Sequence, residues 1–193
     1  DANQIIDPSF TNIIDVFCLT TDYDVNYRQW LTDTTGNVEQ PFPPTTAELK
    51  QLFYNLDDYK AMSDRVIYRP ARYRTIFGEK SNTQDKAKFQ VVRIPGTNIT
   101  DSEIRNRIVE AINEYFALAN WDFGENFYFT ELSAYIHNQL VGYISSIVIV
   151  PVDAESEFGS LFQISTKTDE ILIPDIGVDN IDIVDSADNL GNN

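Results

Sequence analysis

The sequence predicts an α+β fold, with helices packed on a mixed or mainly antiparallel sheet in one or two intimately packed subdomains. Three observations carry that expectation. Two T-x-x-E capping boxes, Thr45 with Glu48 and Thr100 with Glu103, each precede apolar residues at helical spacing. Several β-branched and aromatic runs are strand-sized and bounded by Gly, Pro or Asp turns. Their order, β–α–β–β–α–α–β–β–β–β, does not alternate as a doubly wound parallel fold would.

Taken in order, residues 13–21 (IIDVFCLTT) read as a strand, and 22–31 (DYDVNYRQWL) are ambiguous. Gly36, Pro41, Pro43 and Pro44 mark 32–46 as a loop. A helix follows the first capping box with Leu49, Leu52, Phe53 and Leu56 on one face, ending near Lys60. Residues 66–77 read as a strand broken at Pro70, which is either at an edge or kinked there, because proline removes a ladder donor. Residues 78–85 are turn material and 89–94 a strand stopped by Pro95 and Gly96. The second capping box opens a helix lined by Ile104, Ile108, Ala111, Ile112, Tyr115, Phe116 and Ala119. A shorter helix begins at Thr130, with Leu132, Tyr135, Ile136 and Leu140 inward. Residues 144–152 form a core strand, and 160–166 with 170–173 suggest a hairpin about 167–169. Residues 180–185 alternate, with Ile181 and Ile183 opposite Asp182. The expected organisation is an N-terminal strand–loop–helix part over 1–65, a C-terminal α+β domain over 66–185 and a frayed tail over 186–193.

Composition narrows the function. The 193 residues carry a net charge of −16, the wrong sign for phosphate backbones and for anionic membrane surfaces, so no nucleic-acid or membrane partner is expected. No apolar run reaches the roughly 20 residues of a membrane span. Cys18 is the single cysteine, which leaves no intrachain disulfide or cysteine-based zinc site and suits a reducing cytoplasm. The sole methionine is Met62 and the first residue is Asp1, so a longer chain is expected upstream. Nine of the fourteen basic residues lie between Lys60 and Arg93, whereas after Ile108 only Lys167 remains. Such a basic middle and acidic end form either two solvated faces or complementary patches that steer partners.

Catalytic signatures are not found. His137 is the only histidine and has no helical metal-ligand companion, no G-x-S-x-G turn presents a serine, and no phosphate-binding glycine loop occurs. No enzyme activity, cofactor or metal is expected. The densest feature is the aromatic group Trp121, Phe123, Phe127, Tyr128 and Phe129, which reads as core packing or as a protein–protein anchor. Arg69, Arg72 and Arg74 flank the Pro70 break, where they either pair with acids of another subunit or block edge-to-edge aggregation. The candidate interface residues are therefore Trp121, Phe123, Tyr128, Phe129, Arg69, Arg72 and Arg74. In a two-copy interface, Trp121 and Phe123 are expected to weigh more than Arg72. An exposed groove lined by Tyr27 and Trp30 would instead favour a peripheral binding module.

Four segments, NWDFGENFYFTELSAYIHNQL (120–140), SSIVIVPVD (145–153), FGSLFQI (158–164) and DEILIPDIGVDNIDIV (169–184), resemble the C-terminal region of baseplate wedge proteins of T4-like contractile phages, related to the baseplate J family. The segment YRTIFG (73–78) and the helix from Ser102 sit where such proteins have comparable elements. The resemblance covers most of the chain from about Val66 onward and is weaker before Pro41. It implies a structural virion component of the tail baseplate, assembled in the host cytoplasm. It also implies pairing with a second copy and contacts to other baseplate wedge proteins. It carries no catalytic residues.

Overall fold

A computed structural model describes residues 13–57, 65–152 and 163–184. The expected tail over 186–193 lies outside them, as do residues 160–162 of the expected hairpin. The fold is α+β. The chain divides into two compact units, 1–72 and 73–193.

The first unit begins with β1 (Ile13–Cys18), α1 (Thr21–Thr32), α2 (Thr46–Leu52), the single turn α3 (Tyr54–Asp57) and β2 (Arg65–Pro70). β1 and β2 pair in parallel, from Ile13 opposite Arg65 to Cys18 opposite Pro70. That pairing keeps 66–70 in the first unit, although the sequence boundary at 65/66 assigned them to the second. α1 forms over the ambiguous segment because Tyr23, Tyr27, Trp30 and Leu31 fall at i, i+4, i+7 and i+8. Tyr23 and Tyr27 are buried edge to face at 5.5 Å, and Trp30 meets Tyr27 at 5.2 Å. The Thr45 capping box is complete: the Thr45 hydroxyl accepts from Glu48 N–H, and Thr45 N–H donates to Glu48 Oε2 at 2.7 Å. Only Leu49 of the expected apolar face is buried, with Phe53 half-buried on Tyr68. Leu52 and Leu56 are exposed, because the helix breaks at Phe53 and α3 restarts after it.

The second unit contains β3 (Arg72–Phe77), β4 (Ala87–Arg93), α4 (Asp101–Tyr115), β5 (Phe127–Tyr128), α5 (Phe129–Gln139), β6 (Ile144–Pro151), β7 (Gln163–Ile164), β8 (Glu170–Asp175) and β9 (Ile181–Val184). β4 is central, antiparallel to β6 and parallel to β9. Its residues 89–92 are buried on both faces. An irregularity between Val92 and Arg93 leaves Ser145 without an opposite number, which turns Ile144 back toward the buried face of Ile147 and Ile149. α5 packs on α4 and β6, and Phe129 at its start meets Phe89.

Three expectations fail in instructive ways. The 160–173 hairpin does not form: β7 pairs with β5, and β8 pairs with β3. The turn at 167–170 is real, since Glu170 N–H donates to the Lys167 carbonyl at 2.9 Å, but both flanking strands find non-local partners. The second capping box is half made: Thr100 accepts from Glu103 N–H, while the Glu103 carboxylate pairs with Arg107 at 2.7 Å. α4 stops at Tyr115, and Ala119 lies exposed in a short 3-10 turn.

β3 ends on a tight turn. Phe77 has φ +80°, and Gly78 N–H bonds back to the Ile76 carbonyl. A bulky residue holds this left-handed backbone only under tertiary constraint. The constraint is the aromatic cluster in which Phe77 meets Phe89, Phe116 and Phe127 at 5.0–5.9 Å. Gly78 is required beside it, because a Cβ there would run into the Asp175 carbonyl.

Candidate interaction surfaces

The seven candidate interface residues occupy different environments. Trp121 is 9% exposed, stacked on Phe116 at 5.0 Å, and its indole N–H donates to the Tyr115 carbonyl at 2.8 Å. Phe129 is equally buried against Phe89. Of the two readings of the aromatic group, core packing holds for these two and for Phe127. Tyr128 is exposed and Phe123 half-buried. The segment carrying them is tied down from both sides. Gly124 N–H donates to the Glu170 carbonyl, and the Thr166 hydroxyl donates to the Glu125 carbonyl.

The arginines differ as sharply. Arg74 forks onto Asp85, Nε to Oδ2 at 3.0 Å and Nη2 to Oδ1 at 2.7 Å, and donates a third bond to the Ser165 carbonyl. Asp85 is 1% exposed, so this pair is an internal clamp that presents little charge to a partner. Arg69 reaches Asp15 across the β1–β2 pair at 2.7 Å, with both ends exposed. Arg72 is exposed.

The first unit displays apolar surface that sequence reading missed. Ile13, Ile14 and Val16 of β1 are exposed, and neighbouring strand residues point to opposite faces, so both faces of its N-terminal half are open. Val25, Leu52, Tyr54 and Leu56 are exposed as well, and Phe42 is 92% exposed between Pro41 and Pro43. A signal was available in β1, whose apolar residues come in adjacent pairs, Ile13–Ile14 and Val16–Phe17, instead of alternating, as in a strand covered on both faces.

Phe42 also borders a groove of about 910 Å³, with Tyr23, Pro44, Leu52, Asp22 and Glu48 among its walls. Tyr27 is buried and Trp30 half-buried, so neither forms the aromatic groove envisaged from sequence. After α1, Asp33 closes a tight turn, accepting from Thr35 N–H and hydroxyl and from Val38 N–H. These bonds, led by the Thr35 hydroxyl, hold its carboxyl well below the usual carboxylate range. The Thr45 backbone N–H, with its hydroxyl behind it, lowers Glu48 in the same way.

In the second unit, Tyr115, Asn120, Trp121, Glu125, Glu131 and Tyr135 line a recess of about 400 Å³. Tyr115 sits between Trp121 at 5.6 Å and Tyr135 at 5.5 Å. Burial, then the charge of Glu131 and a hydrogen bond to it, then the charge of Glu125, push the Tyr115 phenol up to about 12.

Cys18 is half-buried, and burial pushes its thiol up, away from the reactive thiolate. Among the described residues no group of three or more His, Cys, Asp or Glu side chains is placed to hold a metal ion. No helix among the described residues is long and apolar enough to cross a membrane. No protein-family model matches the chain, and no curated protein matches it.

Proposed function

We propose that the chain is a non-catalytic structural subunit of a contractile phage tail baseplate, part of the inner wedge ring. It is held there by self-association and by contacts with other wedge proteins. In this reading it is a virion component, assembled in the host cytoplasm. The observation that carries the proposal is the exposed apolar surface of the first unit. Ile13, Ile14 and Val16 lie on a two-stranded sheet, a structure that in isolation is marginal and gains by burying its faces. Exposed apolar side chains on both faces of such a sheet support a contact with another protein surface. The resemblance of four segments of the second unit to wedge proteins supports reading the assembly as a baseplate ring.

Light scattering over a concentration series tests this. The mass is expected to rise from one chain toward two. A chain carrying Ile14→Thr and Val16→Thr, which keeps β-branched residues in the strand but removes apolar surface, is expected to remain at one. A constant single-chain mass for the unsubstituted protein up to high concentration would contradict self-association. It would favour the second reading, a peripheral tail binding module, which the groove beside Phe42 supports.

A further inference from the structure

We infer that the recess formed by Tyr115, Trp121, Tyr135, Glu125 and Glu131 is a binding site for a cationic side chain, arginine before lysine, presented by a partner protein. The inference draws its partner from the assembly reading, but its site is built entirely within the second unit.

Two kinds of group that attract cations converge there. Three aromatic side chains wall the recess, and a cation within about 6 Å of an aromatic centroid is drawn to the negative face of the ring. Two carboxylates and Asn120 complete the wall, and among the described residues no lysine, arginine or histidine lines it. Among the described residues, neither Glu125 nor Glu131 pairs with a cation. Glu125 accepts only from Asp122 N–H at 2.9 Å, and Glu131 only from the Tyr115 hydroxyl at 3.4 Å. Each carboxylate therefore keeps acceptor capacity for a further donor.

Several carboxylates elsewhere are already compensated, whereas the two of the recess also adjoin aromatic rings. The carboxylates of Asp15, Asp24, Glu79, Asp85, Asp101, Glu103 and Glu170 each lie within 4 Å of an arginine or lysine of this chain. The recess is thus a place where aromatic walls and uncompensated negative charge coincide. A planar guanidinium suits it better than an ammonium, since it can stack on a ring while forking onto a carboxylate. The walls are held firmly enough for such a site. Trp121 is fixed by its bond to the Tyr115 carbonyl and by stacking on Phe116. Tyr115 is fixed by α4, and Glu131 and Tyr135 lie one turn apart on α5.

The test uses the full chain with Trp30→Phe, which leaves Trp121 as the only tryptophan. A blocked Gly-Arg-Gly peptide is titrated while Trp121 fluorescence is followed. A saturable change is expected, with affinity falling roughly fivefold in Glu131→Gln and in Tyr135→Leu and falling again at high salt. A blocked Gly-Gln-Gly peptide should leave the signal flat. Circular dichroism on each variant separates loss of the site from loss of the fold. An equal response to the glutamine peptide, no saturable response at all, or an unchanged affinity in folded Glu131→Gln would overturn the proposal. These outcomes are independent of the light-scattering result, which reads the first unit.

Discussion

The two units use similar residues to different ends. In the second, β4 has a neighbour on each edge and side chains over both faces, and its Phe89 joins a ring cluster with Phe77 and Phe129. In the first, β1 and β2 make a sheet of two, and the isoleucines of β1 meet solvent. Both units have aromatic contacts and capped helices. What separates them is how far the layer over the sheet extends: α2 packs on β2, but the N-terminal half of β1 stays exposed. Local sequence signals form elements in either case, but apolar side chains enter a core only where a packed layer reaches them.

The contrast can be broken or sharpened by substitution. The largest effect is expected for Phe89→Ala, which empties the centre of the second unit and should cost about 3–5 kcal/mol. Urea denaturation followed by Trp121 fluorescence in the Trp30→Phe background measures it. A shift as small as that of Ile14→Thr, expected within about 0.5 kcal/mol, would erase the distinction. Next comes Asp85→Ala, which strands Arg74 beside a vacated site and should cost about 3 kcal/mol in the same assay. If Asp85→Ala proved neutral, the clamp would be an ordinary surface pair.

The smallest effect concerns pH and the first unit. Asp33 has a folded pKa below its unfolded value, so its contribution to stability is present above the unfolded pKa of about 3.9. It is lost as pH falls through the depressed folded value. The Thr35 and Val38 amide resonances are therefore expected to hold steady to below pH 4 and then move together. Asp33→Asn should shift both at neutral pH. Unchanged amides in that variant would mean that these bonds do not hold the turn.

How much of this could be read in advance depended on whether the determining contact was local. The Thr45 capping box, the Thr100 cap and the stripe Ile104, Ile108, Ala111, Ile112 are local, and the structure has them, though Glu103 turns to Arg107 instead of completing the second box. The break at Pro70 is local too, separating β2 from β3. α1 was ambiguous because its inward face is aromatic and its remaining residues are poor helix formers, so burial of Tyr23 and Tyr27 decides the matter. The misread hairpin shows the opposite case, a correct turn whose flanking strands pair elsewhere. Arg74 resembled an edge charge, and nothing in spacing joins it to Asp85 eleven residues on. The recess was half legible: Trp121 stood out, but Tyr115 and Tyr135 had been assigned to helix faces, and only the meeting of α4 with α5 brings the three together.

The most direct test of an incomplete first unit beside a complete second one is native-state hydrogen exchange on the full chain at low and high concentration. The amides of β1 are expected to exchange far faster than those of β4 in dilute solution and to gain protection on association, while β4 stays protected throughout. Equal protection of β1 and β4 in a dilute single chain would contradict the claim, since β1 would then need no partner to be covered.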